Sequence, residues 1–237
     1  MEQMDILAFG AHPDDVELFC GGTLIKMSRL GYNVGIIDLT QGELSTRGDV
    51  QQRKTESEQA LTMMGGRLRE NLDIADGTIQ SNNQNRMKVI RTIRKYRPNI
   101  VLAPYPMDRH PDHEQASLLI EQAVFYSGLK KIDSEMPAYR PPHVLFYFSH
   151  RIERISFIMD ISDTFEDKVK ALQSYASQFY KPDDPGDQPQ TYISSKRFWD
   201  NVEARARYFG SQIDVDYGEP FHSKTKLKIN NLMTIFP

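Results

Sequence analysis

Two short stretches of the sequence carry the residue types that metal-assisted chemistry requires. The first, Gly10-Ala11-His12-Pro13-Asp14-Asp15, follows the apolar run at 6–9. An imidazole and a carboxylate three positions apart can reach one ion if the loop turns. A catalytic zinc site typically uses three protein ligands and leaves one position for water. His12 and Asp15 therefore supply two candidate ligands, although both aspartates could instead simply cap the helix that follows.

The second stretch, Arg109-His110-Pro111-Asp112-His113, also follows an apolar run and precedes a helical pattern. The carboxyl ends of parallel strands lie at one edge of a sheet, so we expect the two loops to meet. His12, Asp15 and one histidine of the second loop then form a set of two imidazoles and one carboxylate. Such a set suits zinc and also iron(II). The spacing alone does not decide whether His110 or His113 is the ligand.

The residues left over from this ligand set fit the other roles in hydrolysis. A metal lowers the pKa of bound water, and Asp14, beside a ligand but not itself one, fits the general base that takes the proton. The histidine that is not a ligand can stabilise an oxyanion or protonate the leaving group, with Asp112 orienting it. An iron(II) oxygenase and a non-catalytic sugar-phosphate or nucleotide binding protein are the alternatives. The predicted parallel sheet disfavours the first, and the absence of a glycine-rich phosphate motif disfavours the second.

Composition places the chain among globular proteins. It has 237 residues, 39% of them hydrophobic and 26% charged, with a formal net charge of −3. We expect a single domain spanning residues 1–237. The weak negative charge gives no reason to expect nucleic acid or an anionic membrane as a partner. The single cysteine, Cys20, excludes an intrachain disulfide, and no basic leader precedes the first apolar run, so we expect a cytoplasmic protein.

Apolar periodicity predicts alternating strands and helices over the first half of the chain, and hence an α/β fold with a mostly parallel sheet flanked by helices. The predicted strands are 6–9, 34–39, 68–74 and 99–103, and the clearest helices begin near Val16, Asn83 and Asp112. Two further strands, 143–148 and 155–159, predict a small antiparallel addition in the form of a hairpin. Helices at 163–177 and 194–209 and an exposed loop at 181–189 follow.

Together these motifs resemble the LmbE-like/PIG-L family of zinc-dependent de-N-acetylases. The likeness rests on Ala11–Asp15 with Glu17 and Gly21-Gly22-Thr23, on His110–His113, and on the segments Thr40–Glu43, Lys168–Gln178 and Tyr217–Phe221. It implies a Rossmann-like fold, a bound zinc ion or iron(II), and removal of acetate from N-acetylglucosamine conjugates.

The resemblance also implies a role for each site residue. His12, Asp15 and His113 would be the metal ligands, and Asp14 the general base. His110 would stabilise the tetrahedral intermediate, and Asp112 would orient His110. An arginine matching Arg53 contacts substrate in the family.

Within the family, the compact length and overall similarity favour N-acetyl-D-glucosaminyl L-malate, an intermediate of bacillithiol biosynthesis, as the substrate. Chitooligosaccharides and lipid or antibiotic precursors are the alternatives. Malate carries two carboxylates, which Arg53 and Arg109 could bind by bidentate pairing, although Arg109 could equally form a structural salt bridge. Members of the family are often oligomeric, so we expect a homo-oligomer whose ligand is a small-molecule conjugate.

Overall fold

Strands and helices alternate along the first half of the chain, as predicted. The computed structural model describes residues 3–132, 134–183, 186–231 and 233. The strands are β1 (Ile6–Gly10), β2 (Val34–Asp38), β3 (Leu68–Asn71), β4 (Ile100–Pro104), β5 (His143–Tyr147), β6 (Phe157–Asp160) and β7 (Gly218–His222). The helices are α1 (Asp15–Arg29), α2 (Val50–Met63), α3 (Asn83–Tyr96), α4 (Pro111–Ser127), α5 (Phe165–Gln173) and α6 (Lys196–Gly210).

Within the described residues the strands form one seven-stranded sheet, in the order β3-β2-β1-β4-β5-β7-β6. The first five strands of that order are parallel, and β7 runs antiparallel to both of its neighbours. The predicted α/β fold, with its mostly parallel sheet and its antiparallel addition near the C-terminal end, is confirmed.

The core lies on both faces of this sheet. Successive side chains of a strand point to opposite faces, so Leu7 and Phe9 of β1 pack against α3 and α4 while Ile6 and Ala8 pack against α1 and α5. All residues of β1 and β2 are buried. Their continuous apolar runs are typical of strands covered by helices on both faces.

The predicted hairpin between 143–148 and 155–159 is wrong. The two segments are strands β5 and β6, but β7 lies between them in the sheet and pairs with both. Residues 148–156 therefore connect two strands that point in the same direction, and do not form a tight turn. The antiparallel element arises from the later return of the chain through β7.

Strand β7 escaped sequence analysis because its composition is unlike that of a strand. Glycine, glutamate and proline occupy its first three positions, and proline cannot donate to a sheet ladder. Pro220 is tolerated because β5 pairs only with the next two residues, Phe221 and His222. The strand is thus set by its neighbours in the sheet rather than by local preference.

Helix α1 is interrupted at Cys20, where φ is −144° and ψ is 16°. The break exposes backbone N–H groups, and the Glu219 carboxylate of β7 accepts hydrogen bonds from Gly22 N (3.0 Å) and Thr23 N (2.8 Å). Lys168 of α5 pairs with the same carboxylate at 2.7 Å. A carboxylate at a helix N-terminus is stabilised by unpaired N–H groups and by the helix dipole. This buried ion pair therefore connects the first helix to the last strand.

The predicted C-terminal end of the fifth helix also shifts. Helix α5 ends at Gln173 rather than at Ser177, because Glu56 of α2 accepts hydrogen bonds from the Ser177 backbone N–H and hydroxyl at 2.8 and 2.7 Å. In the predicted loop 181–189, residues 184 and 185 lie outside the described residues, and the described ones are exposed.

In the described part of the chain, none of the helices has the length and apolar character needed to cross a membrane.

The two adjacent glycines of α1 should respond oppositely to alanine. A Cβ at Gly22 would lie 2.8 Å from Ile161 Cδ1, whereas one at Gly21 meets nothing closer than 3.7 Å. We expect Gly22→Ala to destabilise the protein by about 1–3 kcal/mol through overpacking and Gly21→Ala to be neutral or slightly stabilising. Thermal unfolding measures the difference, at about 2–4 °C for each kcal/mol in a protein of this size. Equal melting temperatures for the two variants would contradict this packing argument.

Candidate active site

The two loops identified from the sequence meet because β1 and β4 are adjacent and parallel. His12 and Asp15 follow β1, and His113 lies in the first turn of α4, after β4. The Asp15 carboxylate lies between the two histidines, with Oδ2 3.4 Å from His12 Nδ1 and Oδ1 3.2 Å from His113 Nε2. One donor atom of each of these three residues lies within 4.8 Å of the other two. They border a cavity of about 410 Å³, which Asp14, Arg109 and His110 also line.

The second ring nitrogen of each histidine lies near a carboxylate. His12 Nε2 lies 3.1 Å from Asp76 Oδ1 and 3.3 Å from Asp112 Oδ2. His113 Nδ1 lies 3.0 Å from Ser149 Oγ and 3.5 Å from Asp108 Oδ1. Metal-ligating histidines characteristically use their other nitrogen in this way, which fixes the ring and raises its basicity. His12, Asp15 and His113 therefore fit a divalent metal ion. The evidence for this fit is that neighbouring polar groups orient both histidine rings.

The charges around these ligands favour a cation. Burial alone would lower the pKa of His113, but Asp15 and Asp108 outweigh it and raise that pKa to about 9. Burial would raise the pKa of Asp15, but His113 and His12 hold it well below its usual value. A surplus of buried carboxylate stabilises positive charge at the ligand nitrogens.

Asp14, which lines the same cavity as the candidate ligands, has a left-handed backbone, with φ 119° and ψ −25°. That conformation is rare for residues with a side chain and costs on the order of 1–3 kcal/mol. The Asp14 carboxylate lies 3.2 Å from Arg53 Nη2. Burial raises the pKa of Asp14 to about 7, and Arg53 opposes the increase. A carboxylate with such a pKa can both accept and return a proton near neutral pH.

His110 caps the N-terminus of α4, where its Nδ1 accepts a hydrogen bond from the Asp112 backbone N–H at 3.3 Å. Burial lowers the pKa of His110, and the neighbouring His113 and His12 lower it further. A neutral ring that accepts at Nδ1 carries its proton at Nε2. His110 can therefore donate a hydrogen bond from Nε2.

The hydrogen bond predicted between the Asp112 carboxylate and the His110 ring does not form among the described residues. Asp112 Oδ2 instead contacts His12 Nε2 and accepts a hydrogen bond from Gly77 N at 2.9 Å. The His110 ring is instead bound by the Asp112 backbone N–H, which donates to its Nδ1. Asp112 thus orients a candidate ligand through its side chain and His110 through its backbone.

The two arginines assigned to substrate occupy different environments. Arg53 lines the cavity but is only 4% exposed, and both of its Nη atoms are hydrogen-bonded within the protein. Arg109 is exposed on the cavity wall, where its guanidinium lies 4.2 Å from the centre of the Tyr192 ring. Among the described residues, Arg109 has no carboxylate partner. The salt bridge considered for it in the sequence is therefore not formed in that part of the chain.

Three side chains that were not predicted from the sequence support the site, namely Asp76, Asp108 and His150. Asp76 follows the weak strand β3, and Asp108 lies in the same loop as His110. His150 comes just after β5 and contacts Asp108 Oδ1 through Nδ1 at 3.0 Å. Each of them follows a parallel strand at the same edge of the sheet. Their position after a predicted strand could therefore have identified them in the sequence. Their pairing with particular histidines could not be read from the sequence.

Fold and site together define an α/β protein with a candidate metal centre of the kind that hydrolases use. Residues 7–124 match the family model described as PIG-L, GlcNAc-PI de-N-acetylase. The diacetylchitobiose deacetylase of Thermococcus kodakarensis is 32% identical over 203 residues, which cover 79% of this chain and 74% of that protein. The chain therefore belongs to the PIG-L family of de-N-acetylases, and the resemblance found in its motifs is confirmed.

Solved structures agree with this assignment. The conserved protein TT1542 from Thermus thermophilus superposes with a TM-score of 0.87 at 34% identity, over 96% of this chain and 98% of that one. The N,N'-diacetylchitobiose deacetylase of Pyrococcus horikoshii, solved with its inhibitor MPG, gives a TM-score of 0.78 at 27% identity, over 92% and 82% of the two chains.

Asp108 should control metal affinity although it is not one of the three proposed ligands, His12, Asp15 and His113. It accepts hydrogen bonds from Ser149 Oγ (2.6 Å), His150 N (2.9 Å) and His110 N (2.9 Å), and so fixes the surroundings of His113. We expect Asp108→Asn to weaken Zn²⁺ binding about 10–100-fold, measured by calorimetric titration of chelator-treated protein. Asp49→Asn, an exposed helix cap at which asparagine also caps, is the matched control. Equal affinities for the two variants would show that Asp108 does not support the ligand.

Proposed function

We propose that the protein hydrolyses the acetamide of an N-acetylglucosamine unit, using one divalent metal held by His12, Asp15 and His113. The observation that carries this proposal is the arrangement around Asp15. Two imidazoles face one carboxylate, and each imidazole is oriented from behind by a second carboxylate. Asp14 and His110 border the same cavity. Membership of the de-N-acetylase family supports this choice of reaction.

Asp14 and His110 would divide the proton chemistry between them. When bound, the metal supplies a Lewis acid for the amide carbonyl and lowers the pKa of water. Asp14 takes the proton from the water whose oxygen attacks the carbonyl carbon. His110 donates a hydrogen bond from Nε2 to the oxygen on which negative charge develops. The C–N bond then breaks, a proton passes from Asp14 to the amine, and acetate and the free amine leave.

The substrate is proposed on two different grounds. The relatives named above as diacetylchitobiose deacetylases favour a chitooligosaccharide, which we propose as the first candidate. The second candidate is N-acetylglucosaminyl malate. The exposed guanidinium of Arg109 supports it, because this cation lies on the cavity wall without a carboxylate partner among the described residues. A bidentate contact with a substrate carboxylate is the interaction that such a guanidinium makes best.

Acetate release from metal-stripped protein tests the proposal. Diacetylchitobiose, N-acetylglucosaminyl malate and free N-acetylglucosamine should each be assayed before and after addition of Zn²⁺, and separately of Fe²⁺ under anaerobic conditions. Metal-restored release supports the reaction, and the ratio of kcat/KM values between the two conjugates identifies the substrate class. No release from any of the three, with one metal bound per chain, would overturn the proposed reaction.

The general base should be separable from the metal site. Asp14→Asn removes the proton acceptor while leaving His12, Asp15 and His113 in place, so we expect full metal content and a loss of kcat of about 10²–10⁴-fold. Metal content is measured by elemental analysis and kcat by acetate release. Asp200→Asn, which affects an exposed pair with Lys196, is the control and should keep wild-type activity. An Asp14→Asn enzyme with wild-type kcat would exclude Asp14 as the base.

A further inference from the structure

Arg53 is built into the loop that carries Asp14. It lies in the first turn of α2, and its guanidinium contacts the loop that follows β1. Nη1 donates to the Gly42 carbonyl at 3.0 Å, and Nη2 donates both to the Pro13 carbonyl and to the Asp14 carboxylate, the latter at 3.2 Å. These contacts account for its burial, and they differ from the substrate contact predicted for it.

Two of these three acceptors belong to Pro13 and Asp14, where the backbone is strained. Asp14 has a φ of 119°, and Arg53 binds the carbonyl directly before it and its own side chain. A left-handed residue that bears a side chain persists only when its surroundings hold it there. Arg53 binds both the backbone carbonyl directly before Asp14 and the Asp14 carboxylate itself.

We propose that Arg53 is a positioning residue, which fixes the Asp14 carboxylate for proton transfer and does not bind an anionic group of the substrate. The proposal rests on the proposed function, in which Asp14 is the base. It assigns recognition of a substrate carboxylate to Arg109 and not to Arg53. Arg53 should therefore affect turnover of every substrate, and Arg109 should affect binding of carboxylate-bearing substrates alone.

Gly42 offers a way to displace Arg53 without removing its charge. A Cβ at Gly42 would lie 1.8 Å from Arg53 Nη1 and 2.5 Å from Cζ, so alanine there must push the guanidinium off its acceptors. Gly42 also has a positive φ of 66°, which alone disfavours alanine. Gly31 provides the matched control, because its φ is 91° and a Cβ there meets nothing within 4 Å.

Four variants test the proposal with diacetylchitobiose and N-acetylglucosaminyl malate as substrates. We expect Gly42→Ala and Arg53→Lys to lower kcat about 10²-fold on both, as for a reacting group misplaced by about 1 Å, with little change in KM and full metal content. Gly31→Ala should keep the wild-type kcat even if its melting temperature falls. Arg109→Gln should raise KM for the malate conjugate only.

The opposite pattern overturns the proposal. If Arg53→Lys raises KM for the malate conjugate and leaves kcat and chitobiose turnover unchanged, Arg53 binds the substrate anion. If Gly42→Ala keeps the kcat of Gly31→Ala, Arg53 does not position the base. A crystal structure of Gly42→Ala gives a readout that is independent of catalysis. We expect Asp14 to leave its left-handed conformation, and an unmoved Asp14 would refute the proposal even if the wild-type enzyme releases no acetate.

Discussion

The parallel pairing of β1 with β4 is the constraint on which the site depends. These strands are far apart in the chain, yet Ile6 pairs with Ile100 and Ala8 with Leu102. Because both strands end at the same edge of the sheet, the loop after β1 and the loop after β4 must share one space. Strands β3 and β5 end at that edge too, and they lead into Asp76 and His150. The sheet thus brings together side chains that no local interaction would unite.

Electrostatics determines what that space can hold. Four carboxylates lie against two imidazoles, those of Asp15, Asp76, Asp108 and Asp112, while the fifth, that of Asp14, pairs with Arg53. Burying charge is costly unless an opposite charge compensates for it. Protonated histidines would balance part of this negative charge, and the neighbouring carboxylates accordingly raise the pKa of His113. A divalent cation between His12, Asp15 and His113 would compensate more fully, which is a physical reason to expect one there.

The sequence predicted the parts of this architecture that depend on local pattern. The apolar runs of β1 and β4 and the loops that follow them are evident from composition and from proline and glycine positions. They locate His12, Asp15 and the pair His110 and His113, whereas the choice of His113 as ligand came from the family resemblance. The second carboxylates could not be located in this way. Asp76 and Asp108 contact histidines of other loops, and only the folded sheet brings those loops together. Strand β7 was missed for a similar reason, since Glu219 is favoured there only by the broken helix α1 and by Lys168.

The strain at Asp14 explains how two consecutive aspartates can do different work. In a regular helix or strand, adjacent side chains point in directions fixed by the repeat. The left-handed backbone at Asp14 breaks that repeat. Asp15 begins α1 and faces His12 and His113, while the Asp14 carboxylate turns to Arg53. The conformational cost of one residue thereby separates a candidate ligand from a candidate base, and the hydrogen bonds of Arg53 offset part of that cost.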